Sequence, residues 1–201
     1  MTGTDAKADL RSYLQDARDV LLFKLDGLSE YDLRRPMTPT GTNLVGLVKH
    51  LAGAESAYFG ETFGRPFDGP GLWIAGEAEP NADFWAGPDE TSAQIVDLYR
   101  RACAHSDRTI EALDLDAVGR VPWGRRSELT LRRVLVHMIA ETHRHAGHAD
   151  VVRELIDGAV GQRSADDNLP PADPAWWAEY RDRLEQVAKE AQVAQEAGRG
   201  D

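Results

Sequence analysis

Cysteine is nearly absent from this sequence of 201 residues, and that scarcity excludes several kinds of site. The single cysteine, Cys103, rules out a disulfide framework and every zinc or iron–sulfur site built from several cysteines. A lone cysteine in the middle of a predicted helix is more often a small core residue than a nucleophile. No serine has an evident catalytic partner either. Any enzymatic reaction would therefore use an external thiol or water as the attacking group.

Long apolar runs and positive charge are also scarce. No stretch approaches the 18 or so consecutive apolar residues of a membrane-spanning helix. The first residues, MTGTDAKADLRSYL, lack the basic start and apolar stretch of a signal peptide, so we expect a cytoplasmic protein without a membrane partner. The net charge of −11 repels phosphate backbones, which makes nucleic acid an unfavourable partner.

Strand signals are missing, whereas helical periodicity is strong. We find no alternation of period two and no Asn-Gly hairpin, and so expect no strand. Apolar residues recur at spacings of three and four in four long segments. These segments predict helices over about 5–27, 42–64, 91–113 and 130–158. A polar linker over 29–41, with two prolines, cannot continue a helix.

The connections between these helices indicate the type of bundle. Simple up-and-down bundles use links of about 2–8 residues, but two links here are much longer. We therefore predict an all-α four-helix bundle with long crossover connections, over about 5–160. Pro174 begins an added C-terminal helix, about 175–197. The whole chain, 1–201, is predicted to be a single domain.

A cluster of histidines marks the candidate site. Four of the six histidines lie in the segment HMIAETHRHAGHAD, residues 137–150. Glu141 and His145 are four residues apart, so both side chains can reach one divalent ion. A third ligand must come from another helix, and His50, at the edge of the second helix's apolar stripe, is the candidate. Two nitrogens and one oxygen with open positions suit zinc, and also nickel, iron or manganese.

The same residues have a second interpretation, because a helix rich in histidine can simply be a solvated or structural surface. His143 is expected to be exposed, and His105 to be a surface or packing residue. Another polar residue, Glu55, falls within an apolar stripe, where a buried carboxylate needs a partner. The favoured partner is an arginine such as Arg144 or Arg153. The alternative is that Glu55 supports the metal site or contacts substrate.

Two segments resemble the DinB-like superfamily, and in particular its small actinobacterial members. They are TPTGTNLVGLVKHLAGAESAYFG, residues 38–60, and LTLRRVLVHMIAETHRHAGHADVVRELIDG, residues 129–158. A WWAEYRDRL-type segment near the C-terminus extends the resemblance over about 8–187. The resemblance implies up-down-down-up connectivity, a homodimer and one divalent metal held by three side chains.

The metal ligands implied by the resemblance are His50, Glu141 and His145. Many DinB-like proteins have histidine at the position of Glu141, whereas the mycothiol-dependent maleylpyruvate isomerases resemble this sequence in using His, Glu and His. His137 and His148 lie outside this ligand set and would instead orient a ligand or contact substrate. The catalytic residues and those that bind the thiol cofactor are not assigned.

The function implied is that of a metal-dependent thiol S-transferase or isomerase, with zinc as the preferred metal. The metal would activate a mycothiol-type thiol for attack on an electrophilic small molecule. An excess of arginine over lysine, 19 to 4, agrees with an origin in high-GC actinobacteria, which make mycothiol. The long loop 65–88, with Trp73, Phe84 and Trp85, is expected to cover the site, and Trp123 to line it.

Two alternative functions stay open at this point. A DinB-like bundle could bind metal for stability alone, as a non-catalytic, stress-related protein. Three ligands plus a water molecule would also suit a metal-assisted hydrolase.

Overall fold

The computed structural model describes residues 5–69, 79–123, 128–162, 169–170 and 173–199. Within these ranges the protein is mostly helical, as predicted. The α-helices are α1 (Ala6–Phe23), α2 (Glu30–Arg34), α3 (Leu44–Glu55), α4 (Ser92–Ala112), α5 (Leu131–Asp157) and α6 (Pro174–Ala197). One turn of π-helix, Ser56–Gly60, and two 3₁₀ turns, Glu61–Phe63 and Ala82–Phe84, complete the helical structure. Each of the described helices is too short or too polar to cross a bilayer.

Polar caps define where the long helices begin and end. The side chains of Asn43, Thr91 and Thr130 accept hydrogen bonds from backbone N–H groups in the first turns of α3, α4 and α5. These groups have no partner within the helix, so each cap stabilises its helix start. Gly158 ends α5 with φ of 77°, a left-handed conformation that glycine adopts without steric cost.

Contacts between the helices confirm the crossover connectivity. Lys24, at the end of α1, forms an ion pair with Asp150 near the end of α5, so these two helices run in the same direction. Arg11, early in α1, pairs with Glu111 at the end of α4, so α1 and α4 are antiparallel. α3 and α4 run in the same direction, because Lys49 pairs with Glu90 just before α4 and the later Ser106 of α4 donates to the Glu55 carbonyl at the end of α3. α3 runs opposite to α5, because His50 lies 3.4 Å from Glu141 whereas Tyr58, just after α3, packs on the earlier His137. The bundle is therefore up-down-down-up.

One local prediction is wrong, and one short helix was not predicted. Residues Val118–Arg120 (β1) and Glu128–Thr130 (β2) form a small antiparallel pair, although no strand was expected. Three-residue strands are too short to produce a detectable alternation, and tertiary contacts decide their conformation. The linker over 29–41 does not continue α1, but it contains the separate short helix α2, which Ser29 caps and which ends before the first proline.

A charged pair crosses the centre of the bundle. On α1, Leu14 and Leu21 belong to two different apolar clusters, and Arg18 lies between them along the helix. The Arg18 guanidinium donates to both carboxylate oxygens of Glu55, each over 2.8 Å, and to Asp107 over 2.9 Å. Both members of the Arg18–Glu55 pair are buried, so neither charge would be solvated without the other.

Glu55 is therefore paired with an arginine, but the predicted partners are wrong. Arg144 is exposed on α5, and Arg153 donates instead to Asp157 and to backbone carbonyls at the end of α1. The true partner comes from the packing of α1 against α3, which periodicity alone does not specify.

The chain falls into two compact units, residues 1–167 and 168–201. The first contains the helical bundle. In the second, Asp173 caps α6 and Pro174 occupies its first turn, as the sequence suggested. The rings of Trp176 and Tyr180 stack on one face of α6, with centroids 5.2 Å apart. The single-domain organisation stays a prediction.

Candidate metal centre

Two helices bring the three candidate ligands together. His50 lies on α3, and Glu141 and His145 lie one turn apart on α5. His50 Nε2 lies 3.4 Å from Glu141 Oε1, and His145 Nε2 lies 3.0 Å from the same oxygen. One ligand atom from each residue lies within 4.8 Å of the other two. Within the described ranges, no other group of three such side chains meets this criterion.

The spacing of these atoms suits a divalent ion. Two atoms that bind one zinc ion at about 2.0–2.2 Å lie about 3–3.6 Å apart. The separations of 3.4 and 3.0 Å from Glu141 agree with that value. Imidazole nitrogen and carboxylate oxygen are also ligand types that zinc, nickel, iron and manganese accept. The residues present therefore fit a divalent metal.

A carboxylate behind His50 sets the orientation of its ring. His50 Nδ1 donates to Asp83 Oδ2 over 2.7 Å. An imidazole that donates from Nδ1 presents the lone pair of Nε2 on the opposite side, toward Glu141. Metal-binding histidines usually have such a partner, which fixes the tautomer and raises the basicity of the ligand. Asp83 was not predicted, since a single aspartate in a long loop has no periodic signal.

The pKa shifts of Glu141 and His145 favour the protonation states that a metal needs. Burial lowers the pKa of His145, and the positive charge that His50 can carry lowers it further. Burial alone would raise the pKa of Glu141, but His145 and His50 outweigh that effect and lower it. Near neutral pH the site therefore contains a carboxylate and neutral imidazole, the forms that act as ligands.

Part of the long loop covers the site, as predicted. The ring of Phe84 stacks on His50 with centroids 4.2 Å apart and planes inclined by 17°. Trp85, by contrast, is 46% exposed. Its backbone carbonyl accepts a hydrogen bond from Lys49. Trp73 lies outside the described residues. The described part of the loop thus contributes Asp83 and Phe84, rather than a tryptophan, to His50.

The remaining histidines lie around or away from the three ligands. His148 Nδ1 is 3.4 Å from His145 Nδ1, on the side of the ring that faces away from Glu141. His137 is one turn before Glu141 and packs on Tyr58, with ring centroids 4.6 Å apart. His143 is exposed, as expected. His105 packs against Phe67 and lies 2.7 Å from the backbone oxygen of Arg65.

An open groove of about 800 Å³ lies along the part of α5 that precedes Glu141. Trp123 lines it, and the Trp123 ring meets Tyr58 edge to face at a centroid distance of 5.5 Å. His137 and Ala140 form the part of the wall nearest to Glu141 in sequence. Trp123 thus lines this groove, and the three ligands are not among the groove's lining residues, so a contact of Trp123 with the metal site stays a prediction.

Cys103 does not provide a reactive thiol. Burial raises the pKa of the Cys103 thiol well above its ordinary value, and the negative charge of Glu55 raises it further. The thiolate is the nucleophilic form, so this side chain is inert near neutral pH.

Two of the comparisons with known proteins give matches. The family model described as mycothiol-S-transferase matches residues 9–158, about three quarters of the chain. Among solved structures, a conserved protein from Enterococcus faecalis has the same fold, with a TM-score of 0.58. The alignment covers 78% of this chain and 100% of that one at 16% sequence identity, so it supports the fold alone. A comparison with curated proteins gives no match.

Proposed function

This chain belongs to the mycothiol-S-transferase family, and on that premise we propose that it is a metal-dependent thiol S-transferase or isomerase. It would use a mycothiol-type thiol to attack an electrophilic small molecule. The observation that carries the proposal is the convergence of His50, Glu141 and His145 within 4.8 Å beside an open groove.

In this proposal the three converging residues hold one divalent metal, with zinc preferred. A bound divalent metal would lower the pKa of a coordinated thiol, so that the thiolate is present near neutral pH. Asp83 accepts a hydrogen bond from His50 and keeps its Nε2 directed at the site. Phe84 covers one face of His50 and shields it from water. The inert Cys103 supports an external thiol as the nucleophile.

Two further parts of the proposal concern assembly and location. We propose a homodimer in the cytoplasm. Apolar side chains at spacings of four and three along α6, namely Tyr180, Leu184 and Val187, offer a surface on which two copies can pair. Leu184 and Val187 are more than half exposed. Light scattering of the full chain after gel filtration should give twice the monomer mass of 22.2 kDa.

Metal analysis of the purified protein tests the ligands. We expect one divalent ion per chain in the unaltered protein and a loss of most of it in His50→Ala and Glu141→Ala. His143→Ala is the matched control, because His143 lies on α5 but is exposed. Unchanged metal content in both ligand variants would refute the metal site.

Addition of the thiol then separates catalysis from a purely structural metal. Mycothiol at a hundred times its Kd should stabilise the folded protein by about 2.7 kcal/mol, seen as a rise in Tm. With a panel of electrophiles, mass spectrometry should detect an adduct that contains the thiol sulfur. A thiol that never raises Tm at millimolar concentration would support the structural role instead. Products that gain only water would indicate a hydrolase.

A further inference from the structure

The groove along α5 belongs to the same pair of helices as the metal centre. His50 lies on α3 and Tyr58 in the turn that follows it, and along the antiparallel α5 the residues that they contact are Glu141 and then His137. The His50–Glu141 contact, at 3.4 Å, and the Tyr58–His137 contact, at 4.6 Å between ring centroids, lie one turn of α5 apart. A molecule in the groove therefore lies at the edge of the metal centre.

A distorted helical turn places the aromatic wall of the groove. Tyr58 lies within the π-helical turn Ser56–Gly60, which follows α3 directly. Turns of π-helix are rare and occur frequently at functional sites, because the extra residue in the turn redirects a side chain. Tyr58, within this turn, contacts the rings of both Trp123 and His137.

The charge of the groove is opposite to that of the chain. The chain carries a net charge of −11, yet the described residues that line the groove include Arg132 and Arg133 and no acidic side chain. Arg132 forms an ion pair with Asp116 over 3.1 Å. Arg133 is exposed and forms no ion pair with any residue that the structure describes. Arg133 is thus a cation available to a ligand.

We propose that this groove binds the electrophilic co-substrate and that the co-substrate is a flat, apolar molecule bearing a carboxylate. Its apolar body would pack on Trp123 and Tyr58, where aromatic surfaces favour planar ligands. Its carboxylate would accept hydrogen bonds from the Arg133 guanidinium, whose planar fork suits a carboxylate. His137 would mark the end of the ligand that faces the metal centre. This substrate class rests on the proposed function, but its binding is measurable without turnover.

Binding of an unreactive pair of probes tests the groove. Cinnamate and cinnamamide have the same planar apolar body, and only the first carries a negative charge. Calorimetry on the full-length protein, with no thiol present, should show cinnamate binding about tenfold more tightly than cinnamamide. Arg133→Gln should remove this preference and bring the two Kd values within twofold of each other. Arg144→Gln, an exposed arginine on the same helix, is the matched control and should leave both unchanged.

A second variant excludes direct binding of the carboxylate to the metal. His50→Ala removes a proposed metal ligand and lies outside the groove. The Kd for cinnamate should therefore stay within twofold of the value for the unaltered protein. Loss of cinnamate binding in His50→Ala together with normal binding in Arg133→Gln would overturn the groove proposal. Equal affinity for both probes in the unaltered protein, or no binding of either at millimolar concentration, would also overturn it. None of these outcomes bears on metal content or thiol transfer, so the proposed function is judged separately.

Discussion

Glu55 illustrates how much a single buried carboxylate depends on its partner. Its side chain has no exposed surface and accepts two hydrogen bonds from Arg18, which is 2% exposed. Such a pair contributes little net stability, because desolvation of two charges offsets most of their attraction. Removal of one partner, however, leaves the other charge buried without compensation.

We therefore expect Glu55→Gln to lower the free energy of unfolding by about 3 kcal/mol. This is the low end of the range for a broken buried pair, because Asp107 keeps one ionic contact with Arg18. Urea-induced unfolding, monitored by circular dichroism, measures the change in unfolding free energy.

Glu111→Gln provides the control for this substitution. Glu111 is 59% exposed and pairs with the exposed Arg11, so its loss should cost less than about 1 kcal/mol. Similar losses in the two variants would contradict the interpretation of Arg18–Glu55 as a buried pair.

Among the elements, the 3₁₀ turn Ala82–Phe84 has the closest relation to the site. It is attached to α3 at several points, since Asn43 Nδ2 donates to the Phe84 carbonyl and Lys49 Nζ donates to the next carbonyl. Gly46 on α3 allows the close approach. A Cβ added there would lie 1.9 Å from the Phe84 oxygen, a backbone atom that cannot rotate away.

Gly46→Ala should therefore push the turn away from α3 and separate Asp83 from His50. Because loss of a carboxylate behind a ligating histidine typically weakens metal binding, we expect a 10–100-fold loss of affinity. Tm should also fall. Competition with a chromophoric chelator measures the affinity.

The matched control is Gly147→Ala on α5, where an added Cβ meets no atom within 4 Å. Alanine has the higher helix propensity, so this variant should be neutral or more stable by up to about 1 kcal/mol. Metal affinity in Gly46→Ala equal to that of Gly147→Ala would show that the turn does not support His50.

For the whole molecule, the two units contribute unequally to the core. All the buried and partly buried apolar side chains of the two clusters come from residues before 157. The family match likewise ends at residue 158. In the second unit, every described residue of α6 is exposed or partly exposed.

A chain that ends at residue 167 should therefore fold and bind one divalent ion as the full chain does. We expect its Tm to lie within about 2 °C of the full-length value, which for a domain of this size corresponds to at most about 1 kcal/mol. Circular dichroism and metal analysis check both points. An unfolded or metal-free truncated chain would show that residues 168–201 are part of the bundle's core.

Much of the secondary structure could be predicted because its signals are local. Apolar periodicity located the four long helices, and the side chains at their starts that the structure shows as caps, such as Asn43 and Thr130, are residue types that favour a helix start. The predicted end of the second long helix, at Gly64, was less accurate, because α3 ends at Glu55 and a π-helical turn follows it. The short strands β1 and β2 were not predicted, because tertiary contacts rather than local preference stabilise them.

The sequence by itself determined the all-α class, the caps and the pairing of Glu141 with His145, since residues four apart on a helix must share a face. His50 was a candidate from its place at the edge of an apolar stripe, and the family resemblance implied the same residue as the third ligand. Only the tertiary structure decided that Arg18 neutralises Glu55 and that Asp83 orients His50. It also decided that Tyr58, Trp123 and Arg133 line one groove. These contacts join residues distant in the chain, and their geometry depends on how helices and loops pack.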